Sequence, residues 1–160
     1  MSRRARALVV VAILLGLAAA VPADELRPFG YDSMKAIEAS HAGHAFMVVL
    51  WATDCAPCRR ELGLLAELRE RHPQLRVVLV ATDGPASAGL VDEVLAGYAL
   101  AGSESWQFAE GNLERLRYTV DPRWYGELPR AYLYDAGGGR LAVSGPLSET
   151  QVETWLASQR

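Results

Sequence analysis

Two cysteines, Cys55 and Cys58, are the residues of this chain best suited to chemistry. They are the only cysteines among its 160 residues, and Ala56 and Pro57 separate them. A disulfide framework that stabilises an exported domain generally uses more cysteines at wider spacings. The pair therefore predicts reactive thiols, with an inert structural pair as the alternative.

Two chemistries use a Cys-x-x-Cys pattern, namely dithiol–disulfide exchange and zinc binding. Zinc is disfavoured because the chain has no second cysteine pair and no suitably spaced histidine; the histidines present are His41, His44 and His72. The pattern thus favours redox chemistry, and we expect neither a metal site nor a cofactor.

The residues around the pair predict a strand before it and a helix after it. Phe46–Trp51 is a continuous apolar run, typical of a central strand covered on both faces. From Pro57 to about Arg71, leucines recur at helical spacing. The first turn of a helix offers unpaired N–H groups and the positive end of the dipole, which favour a thiolate. Cys55 is therefore the predicted nucleophile, and Cys58, one turn inside the helix, the shielded resolving thiol.

The other elements predict an α/β fold with a mixed sheet flanked by helices. Residues 24–30 are interpreted as an irregular lead, and Asp32 or Ser33 can cap a helix that ends near Ser40. Helices are also predicted near residues 90–98 and 113–118 and after the capping box at 148–151, and strands at 75–81, 105–109, 130–134 and 140–144. The order places parallel crossovers first and an antiparallel hairpin last.

The N-terminus has the layout of an export signal. Arg3, Arg4 and Arg6 precede an apolar run from Ala7 to Val21, which is shorter than the roughly twenty residues that span a bilayer. We expect residues 1–23 to be a signal peptide and residues 24–160 to form one domain in the periplasm. The alternative is that residues 7–21 stay as an inner-membrane anchor.

Composition bears on the number of domains and on the kind of partner. A content of 51% hydrophobic and 22% charged residues suits one core, and the chain is too short for two ordinary domains. Without the three arginines of the signal, the net charge falls from −3 to −6. The chain has a single lysine and no other basic run, so a nucleic-acid partner is not expected.

The segment Trp-Ala-Thr-Asp-Cys-Ala-Pro-Cys-Arg-Arg-Glu, residues 51–61, resembles the active-site segment of TlpA-like thioredoxins, the exported bacterial thiol-disulfide reductases. The resemblance covers most of residues 30–158, although only this segment and Leu128-Pro129 are specific. It implies a thioredoxin-like fold with an extra helix and strand between Ser87 and Ala109, before a cis-proline at Pro129. It also implies that the backbone at Leu128 pairs with an extended substrate segment and that Pro129 keeps metal off the thiols. The alternative for Pro129 is an ordinary trans proline that starts a strand.

Three further positions bear on the thiols. The resemblance implies that Glu61 is a buried acid beside them, whereas the alternative is a solvated helix residue. Val49 stands where thioredoxins often keep a buried aspartate, so a proton acceptor for Cys58 must come from elsewhere. Asp54 departs from the family, in which an aromatic residue commonly precedes the first cysteine, and its carboxylate would oppose thiolate formation at Cys55.

Three aromatic residues lie near the predicted site. Trp51 is expected to pack under the cysteines and to contribute to substrate binding, with a plain core role as the alternative. Trp124 and Tyr125 precede the Gly126–Pro129 turn, where they form either a partner-facing edge or the packing of the turn itself.

We therefore expect a periplasmic reductase of protein disulfides that acts as a monomer. Cys55 attacks a client disulfide, Cys58 resolves the mixed disulfide, and a membrane donor restores the electrons. Pro57 favours this direction, since the loop resembles that of reducing thioredoxins. The alternatives are a dedicated reductase of apocytochrome c thiols and a non-enzymatic copper-handling module. A peroxidase is disfavoured because its reactive cysteine needs an activating threonine and arginine rather than a close dithiol.

Overall fold

The computed structural model describes residues 25–159. The predicted signal peptide, residues 1–23, and the alternative anchor, residues 7–21, lie outside this range. Within it the chain forms six strands and five α-helices, which in chain order are β1 Arg27–Phe29, α1 Ser33–Ser40, β2 Phe46–Trp51, α2 Ala56–Arg71, β3 Val77–Ala81, α3 Ala88–Gly97, β4 Glu104–Phe108, α4 Leu113–Val120, β5 Arg130–Tyr134, β6 Arg140–Ser144 and α5 Glu149–Ala157.

The strands form one mixed sheet in the order β1-β4-β3-β2-β5-β6. The first four of these run parallel to one another, whereas β5 is antiparallel to β2 and β6 is antiparallel to β5. Every residue of β2 is buried, as its apolar run predicts. This strand leads directly into the loop that carries the cysteines.

Side chains of β2 alternate between two hydrophobic clusters, one on each face of the sheet. Met47, Val49 and Trp51 pack with buried residues of α2, α3 and α5. Phe46, Val48 and Leu50 pack with buried residues of α1 and α4. None of the helices in residues 25–159 is both long enough and apolar enough to span a membrane.

Most of the predicted elements are confirmed, with ends that move by a few residues. Asn112 caps α4 by accepting the N–H of Arg115 at 2.8 Å, and a capping box between Ser148 and Gln151 opens α5. The interpretation of residues 24–30 as wholly irregular is wrong, since Arg27–Phe29 pairs with residues 106–108 of β4. A strand this short shows no periodicity, and its Pro28 is tolerated because β1 is an edge strand.

The extra helix and strand expected between Ser87 and Ala109 are present as α3 and β4. Strand β4 lies between β1 and β3, so the insertion adds a strand inside the sheet and not at its edge. The Leu128-Pro129 peptide bond is cis, which confirms the cis-proline expected at this position, and the alternative of a trans proline is wrong.

Candidate active site

Cys55 and Cys58 form a disulfide, with their Cα atoms 5.2 Å apart. Cys55 is the N-cap of α2, and its Sγ accepts a hydrogen bond from the backbone N–H of Cys58 at 3.2 Å. The Sγ atom is here a disulfide sulfur, and after reduction the same N–H would face a thiolate. Cys55 is partly exposed and Cys58 fully buried, so only the first sulfur is accessible to a partner.

The loop before Cys55 is held through Thr53, which is 6% exposed. The Asp83 carboxylate accepts hydrogen bonds from the backbone N–H of Thr53, at 3.0 Å, and from its hydroxyl group. The Thr53 carbonyl oxygen in turn accepts the Nε–H of Arg59 at 2.9 Å. Two side chains therefore fix the peptide that leads into the cysteine pair.

Sequence reasoning missed Asp83 and Arg59 as parts of this site. Asp83 follows β3, the parallel neighbour of β2. The pairing of Trp51 with Ala81 brings the ends of both strands to the same edge of the sheet. A polar residue just after a strand adjacent to the reactive one is the signal that could have found it.

Glu61 is 2% exposed, so the alternative of a solvated helix residue is wrong. Its Oε1 accepts the backbone N–H of Leu147 at 2.8 Å, while Oε2 is buried without a hydrogen-bond partner in residues 25–159. Burial raises the pKa of this carboxyl group to about 7, although the Leu147 bond acts in the opposite direction. A carboxyl group with this pKa can exchange a proton near neutral pH, and it lies one turn beyond Cys58 on α2.

Trp51 and Val49 belong to the same buried cluster as Cys58. Trp51 is 1% exposed, so its indole lies in the core at the end of β2. This burial does not support direct contact between Trp51 and a substrate, and that role stays a prediction. Asp54, in contrast, is exposed beside Cys55.

Leu128 and Pro129 lie at the end of β2 that leads to the cysteines. Strand β5 begins with Arg130 opposite Leu50, so the two preceding residues extend past that pair toward the Cys55 loop. Pro129 is buried, and its carbonyl oxygen accepts the N–H of Gly145 at 2.9 Å. The half-buried Leu128 side chain packs against both clusters, which fixes the backbone at this point.

The two aromatic residues before this turn have different environments. Trp124 is 4% exposed, and its Nε1–H donates to the carbonyl oxygen of Glu127 at 2.8 Å. Tyr125 is 90% exposed. The turn-packing alternative is therefore confirmed for Trp124, whereas Tyr125 lies on the surface.

Residues 25–159 contain no group of three or more His, Cys, Asp or Glu side chains placed to hold a metal ion.

The mixed sheet, the helices on both faces, and the disulfide at the start of α2 together define a thioredoxin-like fold. No protein-family model matches the chain, and no curated protein matches it in sequence. Solved structures do resemble it, and their likeness in shape confirms the expected fold.

Three of these structures illustrate the similarity. A secreted disulfide oxidoreductase of Mycobacterium tuberculosis, homologous to Escherichia coli DsbE, is 19% identical with a TM-score of 0.58, over 75% of this chain and 85% of the other. A DsbF homologue from Corynebacterium diphtheriae is 15% identical with a TM-score of 0.61, over 76% and 75%. A thiol:disulfide interchange protein of the thioredoxin family from Chlorobium tepidum is 21% identical with a TM-score of 0.57, over 76% and 83%.

Proposed function

We propose that this protein is an exported thiol-disulfide oxidoreductase that reduces disulfides of client proteins. The observation that carries the proposal is the Cys55–Cys58 disulfide at the N-terminus of α2. One sulfur is accessible and receives an N–H hydrogen bond, while the other is buried. One solved structure of the same fold is that of a disulfide oxidoreductase and another is that of a thiol:disulfide interchange protein, which supports this class of reaction.

The cycle begins with the reduced protein. The Cys55 thiolate attacks one sulfur of a client disulfide, the client S–S bond breaks, and the departing client thiolate takes up a proton. Cys58 then loses its proton and attacks the Cys55 sulfur, which releases the second client thiol. The client gains two electrons and the protein loses two, which leaves the disulfide that the structure shows.

Glu61 is the proposed proton acceptor for Cys58. It lies one turn further along α2, it is buried as Cys58 is, and burial raises the pKa of its carboxyl group to about 7. At this pKa the carboxylate can accept the Cys58 proton during the resolving step and return it to solvent later. Val49, which is apolar and buried, offers no such group.

The client segment is proposed to lie in extended form along the backbone at Leu128. That residue is held at the end of β2 by packing against both clusters, so its backbone is available in a fixed place. Pro129 would cover the thiols on this side and keep metal ions off them. Trp51 would support the loop that ends in Cys55 by packing beneath it in the core.

The proposed cellular setting rests on the sequence of the N-terminal residues. An export signal at residues 1–23 would place the domain in the periplasm, where a membrane-bound dithiol donor would return two electrons to the Cys55–Cys58 disulfide. The protein would act as a monomer, since one chain holds every residue that the cycle uses.

Replacing Cys55 with serine tests the reaction itself. We expect Cys55→Ser to abolish the reduction of insulin disulfides, because it removes the attacking sulfur. Cys58→Ser should instead accumulate mixed disulfides with clients, because the first step proceeds and the second cannot. The proposal fails if Cys55→Ser retains activity or if Cys58→Ser traps nothing.

The reduction potential tests the direction of transfer. A reduction potential of about −270 mV supports a reductant, and one of about −120 mV indicates an oxidase. Clients captured by Cys58→Ser would further separate a general reductase from one dedicated to apocytochrome c thiols, for which a single class of client is expected.

A further inference from the structure

Tyr125 is an exposed side chain on a well-fixed backbone. It has the largest exposed fraction, 90%, of the large hydrophobic side chains in residues 25–159. Its backbone N–H nevertheless donates to Glu127 Oε2 at 3.2 Å, and the neighbouring Trp124 is buried. The Trp124 ring therefore packs the turn, whereas the Tyr125 ring lies in solvent.

The loop that carries Tyr125 is held at both ends. The N–H of Trp124 donates to the carbonyl oxygen of Asp121 at 2.9 Å. Glu127 Oε1 accepts hydrogen bonds from Arg130 at 3.2 Å and from the Ser144 hydroxyl group at 2.9 Å. Arg130 also forms an ion pair with the buried Asp121 at 3.3 Å. A loop ordered in this way loses little conformational entropy when a partner binds.

Tyr125 is also close to the proposed client path. It precedes Leu128 by three residues, a span of at most about 11 Å even in a fully extended chain. An extended client segment of four or more residues that lies along Leu128 is therefore long enough to contact the tyrosine ring as well.

The charges beside Tyr125 indicate which client residue suits it. Arg123 is 83% exposed, and the Arg117 side chain lies against Gly126. The carboxylates of Asp121 and Glu127 lie in the same loop, but Arg123, Arg130 and Arg140 form ion pairs with them. The surroundings of Tyr125 therefore keep a net positive charge that would repel a lysine or arginine of the client, whereas an aromatic ring packs favourably on another apolar or aromatic side chain.

We propose that Tyr125 is a specificity-determining residue that binds an apolar or aromatic side chain next to the disulfide cysteine of an extended client polypeptide. This inference rests on the proposed function, because it assumes that clients react at Cys55. The role of the Asp121–Pro129 loop is then to hold Tyr125 in a fixed position for the client.

Single-turnover kinetics of the reduced full-length protein test the inference. The oxidants are two disulfide-linked peptides, identical except for phenylalanine or lysine beside the cysteines, and glutathione disulfide as a small substrate. The wild type should prefer the phenylalanine peptide. Tyr125→Ala should react about fivefold more slowly with that peptide and lose the preference. Its rate with glutathione disulfide should not change.

Two further variants serve as controls. Tyr125→Phe keeps the ring and should behave as the wild type, and Tyr118→Ala removes a tyrosine that is 65% exposed on α4 and should also have no effect. Equal rates for Tyr125→Ala and wild type with the phenylalanine peptide would overturn the inference alone, as would an equal loss with glutathione disulfide. A wild-type protein that reduces none of the three oxidants would overturn the proposed function as well.

Discussion

Glu61 makes the stability of the folded protein depend on pH. Burial raises the pKa of its carboxyl group from an ordinary 4.5 to about 7, so the folded state holds this proton more tightly than the unfolded state. The stability that the protonated group contributes is complete below about pH 4.5 and is lost as the pH rises through about 7. A buried carboxyl group is thus tolerated at acidic pH and costly at basic pH.

We expect Glu61→Gln to remove this dependence, because glutamine cannot ionise and can still accept the Leu147 N–H. At pH 8 the variant should be more stable than the wild type by up to about 3 kcal/mol, and at pH 4 the two should be similar. Urea unfolding of the oxidised proteins at both values measures the difference. Glu67→Gln, at an exposed position on the same helix, is the matched control. Parallel pH profiles for wild type and Glu61→Gln would contradict the expectation.

Asp54 places an exposed carboxylate next to the attacking sulfur. Two like charges about 6 Å apart in water repel by about 0.7 kcal/mol, so the carboxylate should reduce the thiolate fraction of Cys55 about threefold. Asp54→Asn should therefore speed the alkylation of reduced Cys55 by iodoacetamide at pH 6 by that factor.

Salt provides the internal check on this effect. Because the interaction is between exposed charges, the gain for Asp54→Asn should shrink at high ionic strength. Asp92→Asn, an exposed position on α3, should leave the rate unchanged. An unchanged rate for Asp54→Asn at low salt would show that the carboxylate does not act on the thiol.

At the scale of elements, the loop between β2 and α2 depends on Asp83. Thr53 is buried, and its backbone N–H has the Asp83 carboxylate as its acceptor. Asp83→Ala leaves this donor unsatisfied and should lower the free energy of unfolding by about 1–3 kcal/mol. Asp83→Asn keeps one side-chain oxygen and should lose less. Chemical denaturation measures both variants, and equal stability of Asp83→Ala and wild type would show that the Asp83–Thr53 hydrogen bonds do not stabilise the loop.

Local patterns were sufficient for most elements and for the residues inside them. Each such pattern lies within a few residues, as do the apolar run of β2, the Ser148 capping box and the cysteine spacing. The structure shows them as a buried strand, the start of α5 and a disulfide. The three-residue strand β1 could not be predicted, because its hydrogen bonds come from β4, some eighty residues away. The Thr53–Asp83 contact was missed for the same reason, since it depends on which strands are neighbours.

At the scale of the molecule, the order of elements predicted a mixed sheet but not its strand order. Parallel crossovers followed by a hairpin indicate that the sheet contains both parallel and antiparallel pairs, whereas nothing in the sequence shows that β2 pairs with β5 or that β4 lies between β1 and β3. The arrangement joins distant parts of the site. Leu147, in the segment before α5, donates its N–H to Glu61 on α2, so the C-terminal part of the fold supports the acid proposed to serve Cys58.

The direction of electron transfer is a property of the whole fold, because folding and disulfide formation are linked. If the folded protein is a stronger reductant than the unfolded chain, folding favours the disulfide, and the oxidised form must be more stable than the reduced form. Each 30 mV of difference between the two potentials corresponds to about 1.4 kcal/mol. We therefore expect reduction by excess dithiothreitol to lower the midpoint of urea unfolding, as measured by circular dichroism.

The variant Cys58→Ser, which cannot form the internal disulfide, should show no such shift. A higher midpoint for the reduced wild type would mean that the fold stabilises the dithiol, as in a disulfide oxidase, and would reverse the proposed direction while leaving the exchange chemistry at Cys55 in place.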